Sequence, residues 1–93
     1  MKPNESQTAV VTILYFARLR EVLGKTEEEL VISDGIQTIG DLTAFLRERG
    51  SSWATELGSG KAVRVAVNQD MADHETPLNG GDEIAFFPPV TGG

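Results

Sequence analysis

The sequence predicts an α+β domain of two layers, with one main helix lying across a mixed, mainly antiparallel sheet of four to five strands. Three observations carry that expectation. A run rich in β-branched and aromatic residues opens the patterned chain at 9–16, a capped amphipathic helix sits near its middle, and a short apolar run at 83–87 closes it ahead of Pro88 and Pro89. Each strand pair and the helix has one apolar face to bury, and a sheet with a helix laid across it is the simplest arrangement that buries both.

Composition narrows the class. The 93 residues suit a single domain. With 14 acidic and 8 basic side chains the formal charge is −6. That balance argues against nucleic acid as a partner and suits a protein partner with a basic surface. There is no cysteine, which removes disulfides, thiolate metal sites and thiol nucleophiles. The single histidine, His74, falls in a polar stretch and reads as solvated rather than as a ligand or base. No apolar run approaches a membrane span of roughly 20 residues, and the polar start has no signal-peptide core, so a cytoplasmic protein is expected.

Residues 1–7 read as a flexible polar leader and 8–88 as the folded domain. Residues 9–16 are apolar at nearly every position, as in a central strand buried on both faces. The stretch 17–23 suits a helical turn closed by Gly24. A second strand is expected at 29–33, with Leu30 and Ile32 on one face, before a turn at Asp34-Gly35. Thr38 reads as an N-cap, with Asp41 three residues on in a variant of the capping box. Ile39, Leu42, Phe45 and Leu46 then mark one buried stripe. Arg47 and Arg49 suit the negative end of that helix, and Gly50 its C′ position. Trp53, Ala54 and Leu57 suggest a short helical turn within 51–60. A third strand follows at 63–68, then a turn at 68–70, then a weak segment at 71–78 that reads as a very short strand or a single turn. Gly80-Gly81 supplies the freedom for a turn into the last strand. The element order describes a β-grasp, in which the first and last strands are central and parallel. That topology brings Arg18 and Arg20 to the end of the last strand, where they serve either as solvated turn residues or as docking contacts for a partner.

The end of the chain carries the chemistry. Pro88 and Pro89 lack backbone N–H groups, so sheet pairing should stop there. Residues 89–93 are then an extended tail ending in Gly92 and Gly93. Counted from Pro88, the projection is about 20 Å at roughly 3.3 Å per residue, enough to enter another protein's active site. A glycine pair fits a passage that admits only backbone. The Gly93 carboxylate, with an ordinary pKa of about 3.3–3.7, is ionised at neutral pH and a poor electrophile until activated. An acyl-adenylate is one such activated form. By itself, a terminal glycine pair is also compatible with an inert end.

The run from Gly81 to Gly93, with its Phe86-Phe87-Pro88-Pro89-Val90-Thr91-Gly92-Gly93 ending, resembles the small-subunit family of molybdopterin synthase, the MoaD/ThiS-type ubiquitin-like sulfur carriers. Leu14-Tyr15-Phe16-Ala17 with Arg20-Glu21, Trp53-Ala54, Ala66-Val67-Asn68-Gln69 and Pro77-Leu78 are similar to family positions as well. The likeness runs from about residue 10 to the end, and the Pro-Pro-Val-Thr-Gly-Gly ending is its most specific part.

The resemblance implies a mechanism. An E1-like adenylating enzyme (MoeB-like) uses ATP to activate Gly93, and sulfide from a separate donor displaces AMP to leave a thiocarboxylate. The tail, through Pro89, Val90, Thr91 and Gly92, inserts into the large subunit (MoaE-like). There the sulfur attacks cyclic pyranopterin monophosphate on the way to the dithiolene. The family implies a heterotetramer, no bound cofactor or metal in this chain, and no catalysis by this chain alone. Phe86, Pro88, Arg18 and Arg20 are the candidate partner contacts, although spacing leaves Phe86 as either core or interface. Two other readings remain open: a sulfur carrier for thiazole formation or tRNA thiolation, and a ubiquitin-like modifier of proteins.

Overall fold

The computed structural model describes residues 9–58 and 63–89. The expected leader at 1–7, the last two positions of the helical stretch 51–60, and tail residues Val90, Thr91, Gly92 and Gly93 lie outside the described residues. Within them the order is β1 (Ala9–Tyr15), α1 (Arg18–Leu23), β2 (Glu27–Ile32), α2 (Ile39–Arg47), α3 (Ser51–Glu56), β3 (Arg64–Val67), β4 (Asp70–Met71) and β5 (Glu83–Phe87). The strands form one five-stranded sheet in the order β2-β1-β5-β3-β4. β1 and β5 are parallel and the other pairs antiparallel. This is the expected β-grasp, with the first and last strands side by side.

Register decides what is buried. Ile13 pairs with Ile84 and Tyr15 with Phe86, so their side chains share one sheet face. Val11, Ile13, Tyr15, Ile84 and Phe86 meet Leu19 of α1, Ile39, Leu42 and Leu46 of α2, and Leu57 after α3 in a single core. The expectation that β1 is buried on both faces is corrected. Val10 is exposed, and Thr12 and Leu14 are only partly covered, because all the described helices lie on the other face. An all-apolar run does not reveal that the second layer of a two-layer fold is missing on one side.

The caps follow from the sequence. Thr38 Oγ1 accepts from the Asp41 N–H at 3.2 Å, and Asp41 Oδ2 accepts from the Thr38 N–H at 3.3 Å, completing the capping box. The Gln37 N–H also donates to Asp41 at 3.0 Å, and these donors hold the Asp41 carboxyl below the usual range. Gly24 closes α1 at φ 74°, its N–H donating to the Arg20 carbonyl. The β3–β4 turn places Asn68 at φ 51° and Gln69 at φ 74°, the two positive values a tight hairpin of matching twist needs.

Four details differ from the sequence reading. β1 stops at Tyr15, one residue short of the expected end, because Phe16 turns into α1. β2 begins at Glu27 rather than residue 29, since pairing with β1 carries the polar residues into the strand. Phe45 is 41% exposed, while Ile39, Leu42 and Leu46 are buried. The inward arc of a nine-residue helix is filled by those three, and Phe45 lies at its rim. Finally, α2 ends at Arg47 with Glu48 as its C-cap, and Gly50 is the N-cap of α3 rather than the C′ residue of α2.

Candidate functional site

The candidate site is the root of the C-terminal segment. β5 is paired on both sides to its end: Phe86 lies opposite Tyr15 of β1 and Val65 of β3, and Phe87 opposite Arg64. The Phe86 carbonyl accepts one more bond, from the Phe16 N–H at 3.2 Å, just beyond β1. Pro88 and Pro89 follow, partly buried and outside the strand. They have no N–H with which to continue the ladder. A strand held on both sides that stops at a fixed residue gives whatever follows a defined point of departure.

The expected contact residues divide. Phe86 is 2% exposed and stacks on Tyr15, with ring centroids 6.1 Å apart and 12° between planes. It is therefore core, and its role as a direct partner contact is corrected: its side chain points to the helix layer. Pro88 is accessible at the strand end. α1 packs beside β5, as the parallel topology requires, and carries Arg18 and Arg20. The Arg18 guanidinium already holds Glu56 of α3, with Nε–Oε1 at 3.3 Å and Nη2–Oε2 at 3.1 Å, yet 66% of its side chain stays exposed. Arg20 is exposed.

Two aromatic residues that sequence spacing passed over flank the same point. Phe16 is exposed at the turn after β1. Phe87 alternates with Phe86 and so stands on the uncovered sheet face; a strict count of two from Ala85 marks it. On that face Leu14 pairs with Ala85, Ala85 with Ala66, and Ala66 with Met71, an apolar row running across the sheet toward exposed Met71. Between Phe16 and α1, Ala17 adopts φ 55° and ψ −128°, a conformation costly for any residue with a Cβ.

Behind the root lies a polar cluster. Tyr15 Oη donates to Glu28 Oε2 at 2.7 Å, and Arg49 clamps both oxygens of the same carboxylate at 2.7 and 3.0 Å. The Arg49 guanidinium also stacks on Trp53 at 4.7 Å, and Trp53 meets the Tyr15 ring edge-on at 5.6 Å. Burial pushes the Glu28 carboxyl up, but the bonds from Arg49 and Tyr15 outweigh it and leave it below the ordinary range. Burial, together with the bond to Glu28, pushes the Tyr15 phenol far above its usual value.

His74 is exposed; its backbone carbonyl accepts from the Gly40 N–H, and the residue lines a separate cavity of about 630 Å³ between α2 and β3. Among the described residues no group of three His, Asp or Glu side chains is placed to hold a metal ion. No helix among them is long and apolar enough to cross a membrane.

Comparison with known proteins agrees with this geometry. The model of the ThiS family matches residues 13–93. A molybdopterin synthase sulfur carrier subunit from Haemophilus influenzae is 39% identical over 84 residues, covering 90% of this chain and 100% of that protein. The crystal structure of Haloferax volcanii small archaeal modifier protein 1 superposes with a TM-score of 0.74 at 29% identity, covering 88% of this chain and 99% of that one. A chain in the complex of subunits 1 and 2 of the molybdopterin-converting factor from Helicobacter pylori superposes at 0.59 with 28% identity, covering 90% and 99%.

Proposed function

The chain belongs to the ThiS family, and from that premise we propose that it is the sulfur carrier subunit of a molybdopterin synthase. The observation that carries the reading is the root itself: a central strand paired on both sides up to Phe87, then two prolines that end the sheet ahead of the Gly92-Gly93 terminus.

In this reading the Gly93 carboxylate attacks the α-phosphorus of ATP on an E1-like adenylating enzyme and releases pyrophosphate. Sulfide displaces AMP from the acyl-adenylate and leaves a thiocarboxylate. The terminal sulfur then attacks cyclic pyranopterin monophosphate held by the large subunit, and hydrolysis of the acyl bond returns the Gly93 carboxylate. Two deliveries complete the dithiolene. This chain supplies the carried sulfur and its placement; acid and base groups come from the partner. Pro89, Val90, Thr91 and Gly92 enter the large subunit, while Pro88, Arg18, Arg20, the exposed Phe16 and the partly exposed Phe87 meet its surface. The two-subunit complex from Helicobacter pylori supports a large-subunit partner. A heterotetramer of two small and two large subunits, working in the cytoplasm, is part of the proposal.

Reconstitution tests it. With large subunit, adenylating enzyme, ATP, sulfide and the pterin precursor, the full chain should yield molybdopterin, and the Gly93 deletion should yield none. Equal yield from the deletion would sink the reading.

The likeness to a small archaeal modifier protein favours one alternative, attachment of the activated Gly93 to lysines of other proteins. That reading calls for a ladder of higher-mass conjugates in cells, lost on deleting Gly93. A carrier for thiazole formation or tRNA thiolation would instead co-purify with the enzymes of those pathways.

A further inference from the structure

The sheet has two edges, and they are unlike. β4 is two residues long, too short to template another strand. β2 runs regularly for six residues, every one of them in register with β1. The Tyr15 N–H donates to the Thr26 carbonyl at 2.9 Å, which fixes the alternation of the antiparallel ladder. Glu28, Leu30 and Ile32 therefore turn their backbone groups toward β1, and Glu27, Glu29 and Val31 turn theirs outward. Among the described residues nothing pairs with those outward groups.

The side chains along this edge differ by face. On the uncovered face stand Glu27, Glu29 and Val31, the last 59% exposed. On the helix face lie half-buried Leu30 and the Glu28–Arg49 pair, with the exposed Phe45 ring beside Arg49 at 6.0 Å. Lys25, just before β2, is the other cation that acts on Glu28.

We infer that the outer edge of β2 is a docking site for an extended peptide segment of a basic partner, which adds to the sheet as a sixth strand. Main-chain bonds to Glu27, Glu29 and Val31 supply the pairing. Residues of the incoming strand on the uncovered face lie against Glu27 and Glu29 and are Lys or Arg; the alternate residues lie against Leu30 and Phe45 and are apolar. Charge selects this occupant over a second copy of the chain. Two copies paired edge to edge bring acidic strands together on molecules that each carry −6. The same glutamates that prevent self-pairing thus admit a strand of opposite charge. The site is independent of the tail, which leaves from β5.

The test uses the full ¹⁵N-labelled chain titrated with the peptide acetyl-Val-Lys-Val-Lys-Val-Lys-amide, with the Val-Glu repeat as control. The expected result is amide shifts centred on Glu27, Glu29 and Val31, slowed exchange at those amides, and none of this with the Glu peptide. The double variant Glu27→Lys, Glu29→Lys leaves Glu28 and its clamp intact. It should weaken the Lys peptide by about tenfold or more and take up the Glu peptide instead. Shifts elsewhere, no shifts at all, or equal binding of both peptides by the native chain would overturn the inference, and the native-chain mapping decides it even if the double variant fails to fold.

Discussion

The Tyr15 hydroxyl donates a hydrogen bond to Glu28 across the β1–β2 pair at 2.7 Å, while its ring stacks on Phe86 of the strand that leads to the chain end. One side chain thus joins the partly buried carboxylate to the root of the tail. Arg49, arriving from beyond α2, closes the cluster by holding the same carboxylate from the other side.

The first expected outcome concerns acid. The Glu28 carboxyl lies below its ordinary value in the folded chain, so the unfolded chain binds the proton more readily. Its contribution is present above the unfolded value of about 4.3 and is lost as pH falls through the folded one. Glu28→Gln should therefore be less stable at pH 7 and show a shallower fall in melting temperature below about pH 4.5. Asp41, lowered in the same direction, leaves a residual acid dependence in that variant. Parallel curves for the two proteins would contradict the cluster's role.

Tyr15→Phe keeps the stack on Phe86 and removes the donor to a charged acceptor. A loss of about 1.5–3 kcal/mol is expected from denaturant titration at pH 7, since bonds to charged groups contribute that much. The phenol's pKa is raised on folding, so its contribution is present below the unfolded value of about 10 and fades as pH rises beyond it. The variant should accordingly show less alkaline destabilisation than the native chain.

Neighbouring positions on α2 should behave very differently. Leu46 is fully buried, and Leu46→Ala is expected to cost about 2–5 kcal/mol. Phe45 is at the rim, and Phe45→Ala should cost about 1 kcal/mol or less, near the range for surface changes. Melting curves of the two single variants decide this.

Ala17 holds a positive φ that only glycine adopts without penalty. Ala17→Gly should be neutral or stabilising by up to about 1 kcal/mol, the relief of strain offset in part by a freer unfolded chain. Ala17→Val should destabilise, since a branched side chain is worse placed there.

Some of this was legible in the residues. β5 appeared with its observed bounds because Gly81 and Pro88 punctuate it on either side, and α2 began where Thr38 and Asp41 placed it. Those signals are local, carried by residues a few positions apart. What escaped depends on distant pairings. Glu28 is 13 residues from Tyr15 and 21 from Arg49, so nothing in its neighbourhood marks it as half of a clamp. Phe45 matched a helical stripe that three other residues already fill, and the run at 9–16 does not show on which side the helices lie. At the root, the resemblance and the prolines located the point of departure, but only the β1–β5 register separates core Phe86 from half-buried Phe87 on the other face.

Intact-mass spectrometry after incubation with adenylating enzyme, ATP and sulfide tests the central claim most directly. The account expects the mass gain of one oxygen-for-sulfur exchange, mapped by fragmentation to Gly93, and none in a Gly93 deletion whose melting temperature matches the native chain. An unchanged mass in the native chain, or an exchange mapping to any other residue, would contradict it.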